Sequence, residues 1–475
     1  MLLVQNGFSC EYEMGIFINI FFGKEEGVIT TDFYKEKDKI SAKTVIEYDG
    51  KKYFGEFSMP FESEKESARN IKKFYSVCVV RSFIEAAQKV HNTALPWGVL
   101  SGVRPAKFVR ELKEEKSEEQ IKVLLTKIFG VAEEKARLSL KVAENEEKIL
   151  KNIKKNSVSI YIGIPFCPSR CLYCSFVSTD VKISGRYMNE FTDLLVKEIE
   201  KTGEILKDLS LLVQNIYIGG GTPTTLSEEN LKKILSSIDK NIGKAEEFTV
   251  EAGRPDTITE EKLNILKKYG VNRISINPQT LNDETLRLIG RKHSADDFFK
   301  AFSLAKKVGF SVINTDLIAG LPNESFEMFK CSLDKILKQN PENITVHSMC
   351  IKRAAALNFA KIPLTNAKTV EEMLSYTERE MEKCGKEPYY MYRQKNISGN
   401  LENVGYSKKE HFSQYNINIM EEAQTIIGLG GGGVSKIVIG DRIERIPNFK
   451  EPYEYIRRFD EILRKKEEIK SLIKS

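Results

Sequence analysis

The sequence predicts an α/β protein built around a parallel sheet. Two observations carry that prediction. Between Ser159 and Met349, short β-branched runs alternate six times with amphipathic helical stretches. A dense cysteine cluster follows the first of those runs directly, where a parallel sheet presents its chemistry.

The strand-like runs are 159–164, 213–218, 248–252, 273–277, 311–318 and 344–349. Helical patterns fall at 185–206, 227–239, 259–269, 283–289, 295–308 and 325–338. Ser227 and Thr259, each followed by two glutamates, are helix start signals. Strands separated by helices are joined by right-handed crossovers. Helices on one face would curl the sheet into a full or partial barrel. Helices on both faces would leave it open and doubly wound, and the periodicity alone allows either.

Ahead of this region, 16–22, 44–48 and 53–57 alternate, with Asp49-Gly50 as a turn. They predict a small antiparallel sheet with a hairpin. A helical period runs over 63–91, and a strongly charged one over 117–153. Between them 96–105 is rich in glycine and proline and reads as a loop, with Trp97 as its packing anchor. After residue 350 the rhythm breaks. A helix near 369–384, the aromatic stretch Tyr389–Arg393, a glycine run over 428–433 and a charged helix from Pro452 follow. Three regions are expected: an accessory α+β domain over 1–155, the core over 156–350, and an α+β extension over 351–475 that covers the substrate.

Composition narrows the function classes. Hydrophobic residues make up 41% and charged ones 29%, an ordinary globular balance. Lys+Arg number 73 against 67 Asp+Glu, a net charge of +6 without a basic stripe, so no nucleic-acid partner is expected. No window approaches the roughly 18 apolar residues of a membrane span. Glu11 and Glu13 interrupt the start, which has no basic leader, so no signal peptide is expected. Of eight cysteines, Cys167, Cys171 and Cys174 are clustered and the rest scattered. That reads as one metal or redox site in a reducing, cytoplasmic compartment. Cys331, Cys350 and Cys384 stand alone and are expected as buried core thiols.

The cluster has the spacing C-x3-C-x2-C within Tyr161–Cys174. Three thiolates in a short loop can hold three irons of a [4Fe–4S] cluster and leave the fourth open. A structural zinc site would want a fourth ligand, from a second C-x2-C pair that this chain does not have. After the second strand comes Gly219-Gly220-Gly221-Thr222-Pro223-Thr224, which suits either close backbone approach to a ligand or a tight turn. Glu251 ends the third strand, Gln279 follows the fourth, Arg291 lies beyond it, and Asp316 sits in the fifth. Charges near inward strand ends need partners, from an ion pair or a polar ligand.

The cysteine spacing in this position resembles the radical S-adenosylmethionine (SAM) enzymes, from Tyr161 through Gly433. The order of Glu251, Gln279, Arg291 and Asp316 on successive strands resembles the oxygen-independent coproporphyrinogen III oxidase family. The resemblance implies a radical SAM partial (β/α)6 barrel with an N-terminal α+β accessory domain and a C-terminal α+β extension. It implies a [4Fe–4S] cluster on Cys167, Cys171 and Cys174, with SAM chelated to the open iron and cleaved to a 5′-deoxyadenosyl radical. Gly220, Gly221, Thr222 and Glu251 would face the methionine amino end, and Arg291 its carboxylate. Gln279 and Asp316 would bind the ribose, Tyr173 would lie by the adenine, and Tyr161 beside the cluster.

The family's well-studied oxidase carries a histidine where this chain has Gly163, and an extra cysteine where it has Phe176. Ser101–Pro105, Tyr392–Asn396, Glu402–Tyr406 and the 428–436 stretch resemble the HemZ-type coproporphyrinogen dehydrogenases. That branch implies anaerobic oxidative decarboxylation of two propionates of coproporphyrinogen III in haem biosynthesis. Hydrogen is abstracted next to the ring, carbon dioxide leaves, and one electron passes to an unidentified acceptor. Arg393 and Lys395 are candidates for holding propionates, Arg393 and Tyr161 for catalysis, and Tyr389, Tyr390 and Tyr392 for covering the macrocycle. His347 is expected as a satisfied core histidine. The second reading is a haem-trafficking protein that binds haem without turning over coproporphyrinogen.

Overall fold

The structure is a computed structural model of the 475-residue chain. It describes residues 1–61, 68–100, 102, 104–174, 178–350, 365–394, 400–440 and 442–474. Ser101, Val103, Phe176, Lys395 and Asn396 lie outside the described residues. Two compact units are present, Met1–Leu140 and Lys141–Ser475.

In the first unit β1 (Leu2–Asn6), β2 (Val28–Lys35), β3 (Lys39–Tyr48) and β4 (Lys51–Pro60) form one sheet in that order. β3 and β4 are the expected hairpin. Asp49 and Gly50 turn it with φ of 48° and 69°, as a type I′ turn requires. Two expectations fail here. The run 16–22 is not a strand but the end of a helix, Glu11–Phe21. Its isoleucines and phenylalanines do alternate, yet Met14, Phe17 and Phe21 are the buried set, spaced for one helical face. That helix also carries the chain back over the sheet, so β1 pairs with β2 in parallel, not antiparallel. A long helix, Ala68–Gln88, packs on β3 and β4. Trp97 is fully buried.

The strands of the second unit start with β5 (Ser157–Ile164), followed by the two-residue strands β6 (Phe166–Cys167) and β7 (Thr179–Asp180). Then come β8 (Leu212–Gly220), β9 (Glu247–Glu251), β10 (Arg273–Ser275), β11 (Val312–Ala319) and β12 (Asn343–Ser348). The six longer strands β5, β8, β9, β10, β11 and β12 are all parallel, and each lies beside its predecessor. Consecutive neighbours joined by right-handed crossovers put every helix on one face. The helices Met188–Asp208, Glu228–Asn241, Glu260–Lys268 and Ala295–Val308 do pack side by side in one layer. The other face is left to curl inward, and the result is the expected partial (β/α)6 barrel.

The later strands extend the same sheet at both ends. β13 (Glu387–Arg393) and β14 (Glu402–Ser407) add antiparallel beyond β12. β15 (Ile426–Gly430) adds parallel to β5 and carries β16 (Val434–Ile439) and β17 (Arg442–Pro447). The C-terminal helix Phe459–Lys474 locks onto this end through Lys466. Lys466 Nζ lies 2.9 Å from Glu198 Oε1, and both side chains are fully buried. Glu198 also accepts from Asn448 Nδ2, Gly430 N and the Tyr455 hydroxyl, which satisfies the buried charge. Cys331 and Cys384 are exposed, not core thiols. Helix Phe326–Gln339 buries Phe329, Ser332, Leu333 and Ile336, which leaves Cys331 on its outer face. Cys384 follows the last turn of helix Ala367–Lys383. Among the described residues no helix is long and apolar enough to cross a membrane.

Candidate active site

The inner wall of the barrel is polar, because each strand alternates. Thr249 and Glu251, Arg273 and Ser275, Asn314 and Asp316, Thr345 and His347 all face one cavity of about 470 Å³. The intervening Val250, Ile274, Thr315 and Val346 are buried. Cys167, Cys171, Cys174, Tyr161, Tyr173, Gly220, Gly221 and Thr222 line the same cavity, as do Gln279 and Arg291. Residues from across the barrel's length in sequence thus share one space.

The cysteine loop leaves β5 through Pro165. Phe166 is fully buried, edge-on to Phe191, and pins the loop's start. Beyond it, Leu172 N donates to Ile289 O (3.0 Å) and Ser169 Oγ to Gly290 O (3.2 Å). Cys174 N closes a turn onto Cys171 O. Gly221 N and Thr222 N donate to Ile164 O and Phe166 O, so the glycine segment is laced to this loop. Gly220 has φ +103°, open to glycine but not to L side chains. Cys167 Sγ sits 3.5 Å from Thr222 Oγ1, and burial pushes its thiol up. Among the described residues no three His, Cys, Asp or Glu side chains converge tightly enough for a single metal ion. A four-iron cube takes its thiolates at three separate corners, and this loop offers three cysteines lining one cavity.

The acidic residues are differently held. Glu251 accepts from the Tyr217 hydroxyl and the Gly220 amide. Burial pushes its carboxyl up to about 7, Tyr217 pulls it down, and Asp316 adds to the rise. Tyr217 is itself stacked between Tyr161 (6.2 Å) and Tyr415 (4.5 Å). Asp316 accepts from Asn314 Nδ2 at 2.7 Å, and its Oδ2 is 3.8 Å from His347 Nε2. Gln279 is held at φ +69°, a conformation that costs a non-glycine residue roughly 1–2 kcal/mol. Backbone bonds to Asp316 and Ile318 keep it there. Its side chain is 8% exposed, lines the cavity, and its Oε1 has no protein partner. An orphaned acceptor on a strained residue is what a site built for a polar ligand leaves behind. Arg291 donates to Asn277 O. Burial alone would lower its guanidinium, but the Tyr173 hydroxyl and the Cys171 thiol against it push it up overall.

Strand β13 also brings aromatic side chains to the cavity. Tyr390 and Tyr392 line the cavity, and the Tyr392 hydroxyl is 3.2 Å from His347 Nδ1. His347 is therefore a cavity residue, not a core one. Tyr389 and Arg393 are not among the cavity residues. Tyr389 stacks on Phe412 at 4.8 Å. Arg393 is 4% exposed and donates to Asn400 O. Alternation along β13 puts these two on the far face. Cys350 lines the cavity as well.

Gly163, at the place of the family oxidase's histidine, lies level with Gly430 on β15 and Gly219 on β8. A Cβ there would come within 2.4 Å of Gly431 O. The glycine run has taken the space a side chain would need.

Two residues of the site, Tyr217 and Arg254, and a buried histidine near two of its arginines escaped sequence reasoning. Tyr217 reads as an ordinary strand aromatic. His293 is buried, and burial, with Arg291 and Arg254 nearby, pulls its imidazole down to about 3. Arg254, just past the end of β9, reaches the cysteine loop. A charged residue three positions past Glu251 was the one available signal for it.

Residues 161–336 match the Radical SAM superfamily. The chain is 39% identical over 414 residues to the oxygen-independent coproporphyrinogen-III oxidase-like protein HemZ of Bacillus subtilis, covering 85% of this chain and 82% of that one. It is 39% identical over 199 residues to the heme chaperone HemW of the same bacterium, covering 41% of this chain and 51% of that one. Among solved structures, coproporphyrinogen III oxidase (HemN) from Escherichia coli, a radical SAM enzyme, shares the fold. Its TM-score is 0.54 at 22% identity, over 68% of this chain and 73% of that one. The chain belongs to the radical SAM superfamily and, within it, to the family of oxygen-independent coproporphyrinogen III oxidase-like proteins.

Proposed function

We propose that the protein is a radical SAM oxidoreductase that decarboxylates two propionate side chains of coproporphyrinogen III, giving protoporphyrinogen IX. The observation that carries this reading is one cavity lined by Cys167, Cys171 and Cys174 together with Tyr390, Tyr392 and His347. Cys167, Cys171 and Cys174 would hold a [4Fe–4S] cluster with one iron open. When bound, cluster and SAM together supply a reductively generated radical able to remove an unactivated hydrogen.

The chain's own residues bind and orient. The Gly220–Thr222 edge and Glu251 take the methionine amino group, and Arg291 its carboxylate. Gln279, with its free Oε1, and Asp316 take the ribose hydroxyls. Tyr161 and Tyr173 border the cluster and the adenine, and the buried barrel excludes water around them. Tyr390, Tyr392 and His347 face the space left for the substrate, where the aromatic rings would pack against its pyrroles. The relative HemZ, named as coproporphyrinogen-III oxidase-like, supports this choice of substrate. Electron donor and acceptor are separate partners.

The test is an oxygen-free assay of iron-loaded protein with SAM, a reductant and coproporphyrinogen III, reading protoporphyrinogen by oxidation and fluorescence. A second reading, haem binding without turnover, has its own observation. Gly163 leaves no room for the oxidase's histidine, and HemW relatives are named heme chaperones. Stoichiometric haem uptake with no decarboxylation in the same preparation would select it.

A further inference from the structure

Arg254 is 3% exposed and belongs to none of the roles above. It follows β9 and precedes Pro255, which opens a tight turn at Pro255–Thr257. That turn is fixed: Thr257 Oγ1 donates to Arg254 O, and Lys262 Nζ donates to the carbonyls of Thr224 and Thr257. The guanidinium is then held in plane by Asp256. Its Nε is 3.0 Å from Oδ1 and its NH2 is 2.9 Å from Oδ2, a two-pronged pair. Asp256 uses that edge and leaves the NH1 corner, which points into the cysteine loop. NH1 lies 3.1 Å from Ser169 Oγ, 3.4 Å from Ser169 O and 3.8 Å from Cys171 Sγ.

We propose that Arg254 is a positioning residue for the cysteine loop: anchored by Asp256, it holds Ser169 and Cys171 in place and helps set the reduction potential of the cluster ligated there. The inference rests on the cluster assigned under the proposed function. Its physical basis is simple. Reduction adds negative charge to the cluster, and arginine is a fixed positive charge. With Asp256 on the opposite edge, the positive NH1 corner is the part of the pair turned to the ligand sulfur, and its local charge and donated hydrogen bonds favour the reduced state. Lysine would keep the charge but not the fork, since one ammonium cannot span Asp256 and reach Ser169 in the same plane.

The test uses the full chain carrying Arg254→Gln or Arg254→Lys, with circular dichroism as the check of folding. Hydrogen–deuterium exchange over Cys167–Cys174 is measured on iron-free protein. An anaerobic redox titration followed by electron paramagnetic resonance is run on iron-loaded protein. In R254Q the loop should exchange about tenfold faster. At a fixed potential its reduced-to-oxidised ratio should fall about tenfold, 59 mV for one electron. R254K should keep most of the potential but not the slow exchange. A folded R254Q that no longer retains iron also supports the proposal. Wild-type exchange, or a wild-type reduced fraction, in R254Q overturns it. A native chain that takes up no iron at all refutes the cluster assignment itself, and the iron assay tells that failure apart.

Discussion

Glu251→Gln should make the ligand-free protein more stable, and increasingly so as pH rises. The Glu251 carboxyl is pushed from 4.5 to about 7, with burial as the largest cause. A carboxyl whose folded value lies above its unfolded one binds more protons folded than unfolded. Stability is therefore lost as pH climbs from about 4.5, and the loss is complete above about 7. At about 1.4 kcal/mol per tenfold, the whole penalty is of order 3 kcal/mol, of which about 2 kcal/mol develops between pH 5.5 and 8.5. Glutamine keeps an acceptor for the Tyr217 hydroxyl and has no charge to bury. The assay is thermal melting of both proteins, free of SAM, across that range. At roughly 2 °C per kcal/mol for a chain of this size, the gap between E251Q and native should widen by about 4 °C from low to high pH. SAM affinity, read by titration, should fall in the same variant. A gap of constant width would refute the reasoning, for it would mean that Glu251 ionises in the folded chain as easily as in the unfolded one.

Four further outcomes follow from the geometry. Lys466→Met strips a fully buried carboxylate of its cation, although Asn448, Gly430 and Tyr455 remain on Glu198. It should cost about 3–5 kcal/mol, and Lys466→Met with Glu198→Leu should recover part of that in the same melting assay. Gly163→Ala forces a Cβ to within 2.4 Å of Gly431 O. The expected cost is about 1–3 kcal/mol, and an unchanged melting temperature would show that the glycine run yields freely. Cys171→Ala should abolish both the brown colour of the iron-loaded protein and SAM cleavage. Asp316→Ala should keep the colour and lose SAM affinity, so a colourless D316A protein would make Asp316 structural.

Much of the core was legible because its signals are local. Each of the six strand–helix units has its own hydrophobic period, and caps such as Ser227 and Thr259 mark where helices begin. The cysteine spacing and the residues ending successive strands lie on the page in order. The first unit misled at 16–22, where a strand-like alternation of isoleucine and phenylalanine also satisfies a helical face. Only packing against neighbours could choose between those two periods. Arg393 shows the same limit on a smaller scale. Its charge suggested a carboxylate partner, but a strand has two faces, and the sheet turned Tyr390 and Tyr392 inward instead.

The sequence by itself determined the α/β class, the order of the elements and the thiol-bearing loop after the first core strand. Those depend on contacts between near neighbours in the chain. Tertiary structure alone decided that the strands run side by side in chain order, so that one polar face closes around a cavity. It also brought Arg254 to Cys171 and Gly431 to Gly163, pairs separated by 83 and 268 residues (254 − 171 and 431 − 163). No local period encodes such meetings. They arise when crossovers of fixed hand stack the strands and the chain's far end returns to the sheet.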